Sequence, residues 1–261
     1  MNKHIKPIAF YLPQFHPIPE NDTWWGKGFT EWTNVAKAQP LFEGHWQPRL
    51  PADLGFYDLR VAETREAQAA MAKQYGIYGF CYWHYWFGGK QILERPLQEV
   101  VQLGKPDFPF CVAWANQTWK GTWHGLSSNK VLIEQTYPGK EDYEAHFYAM
   151  LPAFKDPRYI RVNGKILFMV FQPLDIPDSR FFINLWQQLA EQNGLTGFHF
   201  VALHMPVDWD YKSFGYNAVV EGINPWEKYV INTKKKPNIY ISVFEKDCVF
   251  FWCLSHTFPM D

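Results

Sequence analysis

A chain of 261 residues is long enough for one large α/β domain, the size of a barrel of about 250 residues. Its 25 Lys and Arg offset 26 Asp and Glu, so a net charge of −1 offers no field for a polyanion and excludes nucleic acid as the natural partner. Aromatic residues make up 19% of the chain, with 13 Trp, which is more indole than a core of this size needs and points to a ligand surface.

From the N-terminus, MNKHIKPIAFYLPQF lacks an apolar leader core, and no later run approaches the ~18 apolar residues of a membrane span. A soluble, cytoplasmic protein is expected. Strand one is predicted at 7–12, followed by a long irregular stretch from Pro13 to about Asp58. Residues 59–75, rich in Ala, Glu, Gln and Lys, predict a helix that Gly76 stops. Strand two is predicted at 77–83, with a helix over 91–103 and strand three at 108–114. A loop to about residue 140 precedes a helix at 141–154. Strand four is predicted at 165–171, a helix at 180–193, strand five at 197–203 and strand six at 217–221.

Strand alternating with helix implies parallel βαβ units. No glycine-rich phosphate loop follows any strand, which disfavours a nucleotide-binding sheet. Polar and aromatic residues instead recur where strands end, as they do at the ligand face of a barrel. They are Tyr11, Gln14 and His16; the run Tyr82, Trp83, His84, Tyr85, Trp86; Trp114, Asn116 and Trp119; Gln172; His204; and Glu221. The expected fold is therefore α/β, a (β/α)8 TIM-barrel type, incomplete at about six βα units. Residues 1–228 would form the partial barrel. Residues 229–261 change character and read as an atypical C-terminal tail, for which a truncated or frameshifted gene is one hypothesis. Of four cysteines (Cys81, Cys111, Cys248, Cys253), the first two lie in apolar strands as reduced core thiols.

Sugars present C–H faces to indole and phenol, and hydroxyls to amides, carboxylates and imidazoles. The stretch NDTWWGKGFTEWTN combines Trp24, Trp25 and Trp32 with Asp22, Glu31 and Asn34, and WANQTWKGTWHG repeats the mixture with Trp114, Asn116, Gln117, Trp119, Trp123 and His124. Cleavage of a glycosidic bond needs two carboxyl groups, and Glu31 and Glu221 are the best placed. Glu31 could equally brace its loop, and Glu221 could pair with a base of the barrel. The ring run at 82–86 is expected to wall a cleft. No metal or cofactor is expected: His16, His84 and His204 lack ligand spacing, and the Asp208-Trp209-Asp210 pattern lacks the fold context of nucleotide-sugar transferases.

These residues bring a family resemblance. The stretches FYLPQFHPIPENDTWWGKGFTEWTNVAKAQPLF, RLPADLGFYDLR, YGIYGFCYWHYWFGGKQILERPL, FPFCVAWANQTW, IEQTYPGKEDYEAHF and YNAVVEG resemble the WbsX-type glycosyltransferase-like proteins, themselves similar to glycoside hydrolase family 99 endo-mannosidases. The resemblance implies a (β/α)8 barrel, an O-antigen or capsular glycan substrate within lipopolysaccharide biosynthesis, and a sugar site lined by Tyr11, His16, Trp24, Trp25, Glu31, Trp32, His84, Tyr85, Trp114 and Asn116. Two departures stand out. Many relatives carry an acidic residue at the positions of Gln117 and His124, and the late N-E-W-x-E-G motif with its paired carboxylates is absent. Three functions remain open: a hydrolase-like enzyme of surface polysaccharide, a nucleotide-sugar-dependent transferase, and an inactive glycan-binding barrel.

Overall fold

In the computed structural model, the structure describes residues 5–121, 130–221 and 249–252. In chain order the elements are β1 (Lys6–Tyr11), α1 (Pro19–Trp25), α2 (Glu31–Lys37), α3 (Ala62–Gln74), β2 (Gly79–Phe87), β3 (Lys90–Ile92), α4 (Arg95–Leu103) and β4 (Phe110–Trp114). There follow β5 (Trp119–Lys120), β6 (Val131–Ile133), α5 (Lys140–Lys155), β7 (Arg161–Val162), β8 (Lys165–Val170), α6 (Ser179–Gln192), β9 (Phe198–Leu203), β10 (Ala218–Val220) and β11 (Val249–Trp252).

The main strands pair in parallel in the order β10-β9-β8-β4-β2-β1-β11. Helices α3, α4, α5 and α6 each connect one strand to its parallel neighbour. The sheet curls through 221°, so it is an incomplete (β/α)8 barrel. Six of the seven strands match the apolar runs legible in the sequence. The seventh, β11, falls inside the segment 229–261 set apart as a tail, yet its backbone pairs with β1 from Lys6↔Val249 to Ala9↔Trp252.

Two expectations need correction. The stretch from Pro13 to Asp58 is not wholly irregular, because it holds α1 and α2. Pro19 starts α1 at the position where a missing N–H costs nothing. Thr30 caps α2 in a capping box with Thr33. Strand two, predicted to stop at 83, continues to Phe87. Its ring run is therefore a strand interior, and successive side chains point to opposite faces.

That alternation divides the aromatic residues. One parity meets the helices: Tyr11 donates to Gln68 Oε1 on α3 at 2.6 Å, and Trp86 Nε1 donates to Asp142 Oδ1 on α5 at 3.0 Å. Phe147, Phe154, Phe168, Trp186 and Phe198 fill the layer between sheet and helices, with Trp186 against Phe168 at 4.8 Å between ring centroids. Among the described residues, Trp86, Trp114 and Trp186 are buried in this core. The other parity faces the barrel interior: Phe10 stacks on Trp83 at 4.7 Å, and Cys81 lies in register with Cys111. Both thiols are free and buried, and burial pushes that of Cys81 up. Cys248 and Cys253 lie outside the described residues.

Candidate functional site

At the C-terminal ends of β1, β2, β4 and β8, a cleft of about 190 Å³ opens over the interior face. Its aromatic lining is Trp25, Trp83, Tyr85, Trp119 and Phe171, and its polar lining is Gln14, Asn21, Glu31, Gln117 and Lys120. Ala115 lies behind it. A small residue there leaves room where β4 runs out.

Local structure explains how these groups meet. Glu31 opens α2, and its backbone N–H donates to Gln14 O at 3.2 Å, tying the helix to the chain leaving β1. Gln14 Nε2 donates to the Tyr85 hydroxyl at 3.3 Å, which links that segment to β2. Trp119 packs edge-on against Tyr85 at 5.1 Å and Trp24 at 6.1 Å, so the short β5–β6 hairpin closes one side of the cleft.

Glu31 is the chemical centre of this arrangement. Its side chain is buried and accepts a hydrogen bond from Asn34 Nδ2 at 3.1 Å. Burial is the dominant influence and raises its carboxyl above the ordinary glutamate range, the Asn34 bond opposing only in part. A carboxyl held toward its protonated form beside aromatic faces can act as a proton donor. Nearby, burial first, opposed by the Gln14 bond and aided by Glu31, pushes the Tyr85 phenol above its ordinary range.

The structure brings Gln14, Trp25, Glu31, Tyr85 and Trp119 together at the cleft, with Trp24 in contact through Trp119. His204 is one layer away, its ring edge-on to cleft-lining Phe171 at 4.7 Å, and its φ of 57° is unusual for a non-glycine residue. Glu221 is half-buried just beyond β10 and does not line the cleft.

The remaining expected sugar contacts face elsewhere. Tyr11, Tyr82, His84 and Trp114 share the parity that points to the helices. Trp114 is fully buried, donates from Nε1 to Trp86 O at 3.1 Å and packs on His146 and Phe182. His84 Nε2 and His146 Nε2 are 2.8 Å apart in a hydrogen bond, and burial pulls His84 down to about 3. Asn116 imitates a strand residue. Its Oδ1 accepts from Gln172 N at 2.8 Å while its Nδ2 donates to Gln172 O at 2.8 Å and Tyr137 Oη at 2.9 Å, fastening the ends of β4 and β8. Trp32 donates to Tyr57 O at 2.7 Å and packs on Phe15. His16 is buried outside the cleft lining. Trp123 and His124 lie outside the described residues.

Sequence reasoning passed over Phe171, Lys120 and Asn21 as site residues, and expected the whole ring run at 82–86 to wall the cleft where Trp83 and Tyr85 line it. Phe171 stands one residue beyond β8 with the same inward parity as Trp83, so a strict period of two would have found it. Asn21 was hidden because α1, at seven residues, is too short to show a period. Among the described residues, no group of three or more His, Cys, Asp or Glu converges as a metal site, and no helix is long and apolar enough to cross a membrane.

Three comparisons bear on this arrangement. Two curated relatives from Xanthomonas campestris pv. campestris, strains B100 and ATCC 33913, both called "Uncharacterized protein WxcX", are 43% identical over 216 residues, 82% of this chain. The chain spans 30% of their length. Among solved structures, the GH99 endo-alpha-mannosidase from Bacteroides thetaiotaomicron, in complex with BIS-TRIS-propane, overlaps with a TM-score of 0.48 at 16% identity. That overlap covers 84% of this chain and 58% of the mannosidase chain. A glycoside hydrolase-like protein overlaps at 0.47 and 14% identity, over 77% of this chain and 52% of the other. The family model described as Glycosyltransferase WbsX matches residues 7–251, from the start of β1 into β11. The chain therefore belongs to the Glycosyltransferase WbsX family.

Proposed function

We propose that this protein acts on a glycan of the bacterial cell surface, an O-antigen or capsular polysaccharide, cleaving or transferring glycosyl units in its cleft. The observation that carries the reading is the convergence of Trp25, Trp83, Tyr85 and Trp119 with Gln14, Asn21 and Glu31 around one opening at the C-terminal ends of parallel strands. Flat rings suit the C–H face of a pyranose, and amides suit its hydroxyls. Glu31, raised by burial, would protonate the departing glycosidic oxygen. The family description supports transfer equally well.

Incubation with purified O-antigen and capsular polysaccharides, with and without nucleotide sugars, tests this directly. New reducing ends or new glycosyl linkages are expected, and both should depend on Glu31. No turnover with any polymer, together with no binding, would overturn the reading. A second reading has its own support: among the described residues Glu31 is the sole carboxylate lining the cleft. Binding without turnover would favour a glycan-binding barrel.

A further inference from the structure

The polar groups of the cleft are not matched to one another. Asn21 is 2% exposed, yet its Nδ2 has no hydrogen-bond partner, although it lines the opening. An orphaned buried donor costs stability, and a ligand bound in the opening would complete it. Lys120 is the cation that lines the cleft among the described residues, and it stands on β5 beside Trp119. Glu31 lines the same cleft, yet among the described residues neither it nor Lys120 takes part in an ion pair. The acid and the ammonium therefore do not pair with each other, and the Lys120 ammonium is left without a carboxylate partner among the described residues.

We propose that the cleft selects an anionic saccharide, with Lys120 Nζ and Asn21 Nδ2 receiving a carboxylate or phosphate on the sugar while the aromatic lining holds the ring. This specificity rests on the carbohydrate function proposed above. Charge-assisted hydrogen bonds to an ammonium are about twice as strong as neutral ones. Glu31 remains free for proton transfer because the anion is met by different groups. A neutral sugar would leave the Lys120 ammonium to solvent and gain no charge-assisted bond from it.

Calorimetric titration of the whole chain with three ligands tests the idea: an oligomer of hexuronic acid, its carboxyl-reduced neutral counterpart, and a phosphorylated sugar of the same ring. At least one acidic ligand should bind about tenfold more tightly than the neutral oligomer, and which one does identifies the anion. Lys120→Gln, at an exposed side chain, should abolish that preference, read as the ratio of acidic to neutral affinity within the variant. Asn21→Asp should weaken the acidic ligand further by repulsion. Equal binding of neutral and acidic ligands, or a preference that survives Lys120→Gln, overturns the charge selection and leaves the carbohydrate function standing. Absence of binding in every arm overturns both.

Discussion

His84 on β2 and His146 on α5 share a 2.8 Å Nε2–Nε2 hydrogen bond, with both rings out of contact with water. One nitrogen must donate and the other accept, and burial disfavours the charged form of both rings. Burial holds His84 down to about 3, and burial followed by the charge of His84 holds His146 well below its ordinary 6.5. The unfolded chain takes up protons below about pH 6.5, whereas the folded pair refuses them. Stability is thus complete above pH 6.5 and falls as pH drops towards 3. Between pH 6.5 and 5, His84 alone should account for a loss of about 2 kcal/mol, at 1.36 kcal/mol per unit. Urea midpoints across this range should show a steep slope that His84→Gln flattens. An unchanged slope would remove the pair from the acid response.

Trp114→Ala should act on the fold and not on the ligand. The ring is fully buried among Tyr137, His146 and Phe182, and its loss also strips Trp86 O of a donor. Destabilisation of about 3–5 kcal/mol is expected from chemical denaturation. The folded fraction should keep its glycan affinity; a selective loss of affinity would return Trp114 to the site.

Asn116→Ala unfastens β4 from β8. Gln172 N loses its acceptor while Gln172 O keeps Asp175 N at 3.2 Å, and a buried orphaned group costs about 1–3 kcal/mol. A lower thermal midpoint is expected, with amide exchange at Gln172 accelerated ahead of the core strands. Protection that stays intact at Gln172 would contradict the latch.

Trp25→Ala removes one aromatic wall of the cleft. Oligosaccharide binding should weaken by about 1–3 kcal/mol, as for a buried aromatic anchor, with little change in the denaturation midpoint. Calorimetry on the variant decides it, and equal affinity would take Trp25 out of the binding surface.

Glu31→Gln keeps an acceptor for Asn34 and removes the proton. If Glu31 is the acid, turnover should fall about 10²–10⁴-fold while ligand affinity is retained. Stability should hold or rise slightly, since a buried carboxyl with no cationic partner is replaced by a neutral amide. Full activity in this variant would assign the acid elsewhere.

The apolar runs at 7–12, 108–114, 165–171 and 197–203 fall on β1, β4, β8 and β9 within a residue or two, because buried parallel strands are written as unbroken hydrophobic segments. Helices α3, α5 and α6 were equally visible. Helices α1 and α2 were not: seven residues rich in Trp, Thr and Asn show no apolar stripe, and caps such as Thr30 are legible only once the helix is known. The ring run at 82–86 drew attention to the right strand but was placed at its end instead of within it.

Composition and order of residues were enough to fix a parallel α/β architecture and to gather Gln14, Trp25, Glu31, Tyr85 and Trp119 near one rim, since chain order dictates which strand ends adjoin. Which way each ring turns was settled in three dimensions. A shift of one position along β2 sends a side chain to the opposite face, so Trp83 and Tyr85 line the cleft while Tyr82, His84 and Trp86 are spent on packing.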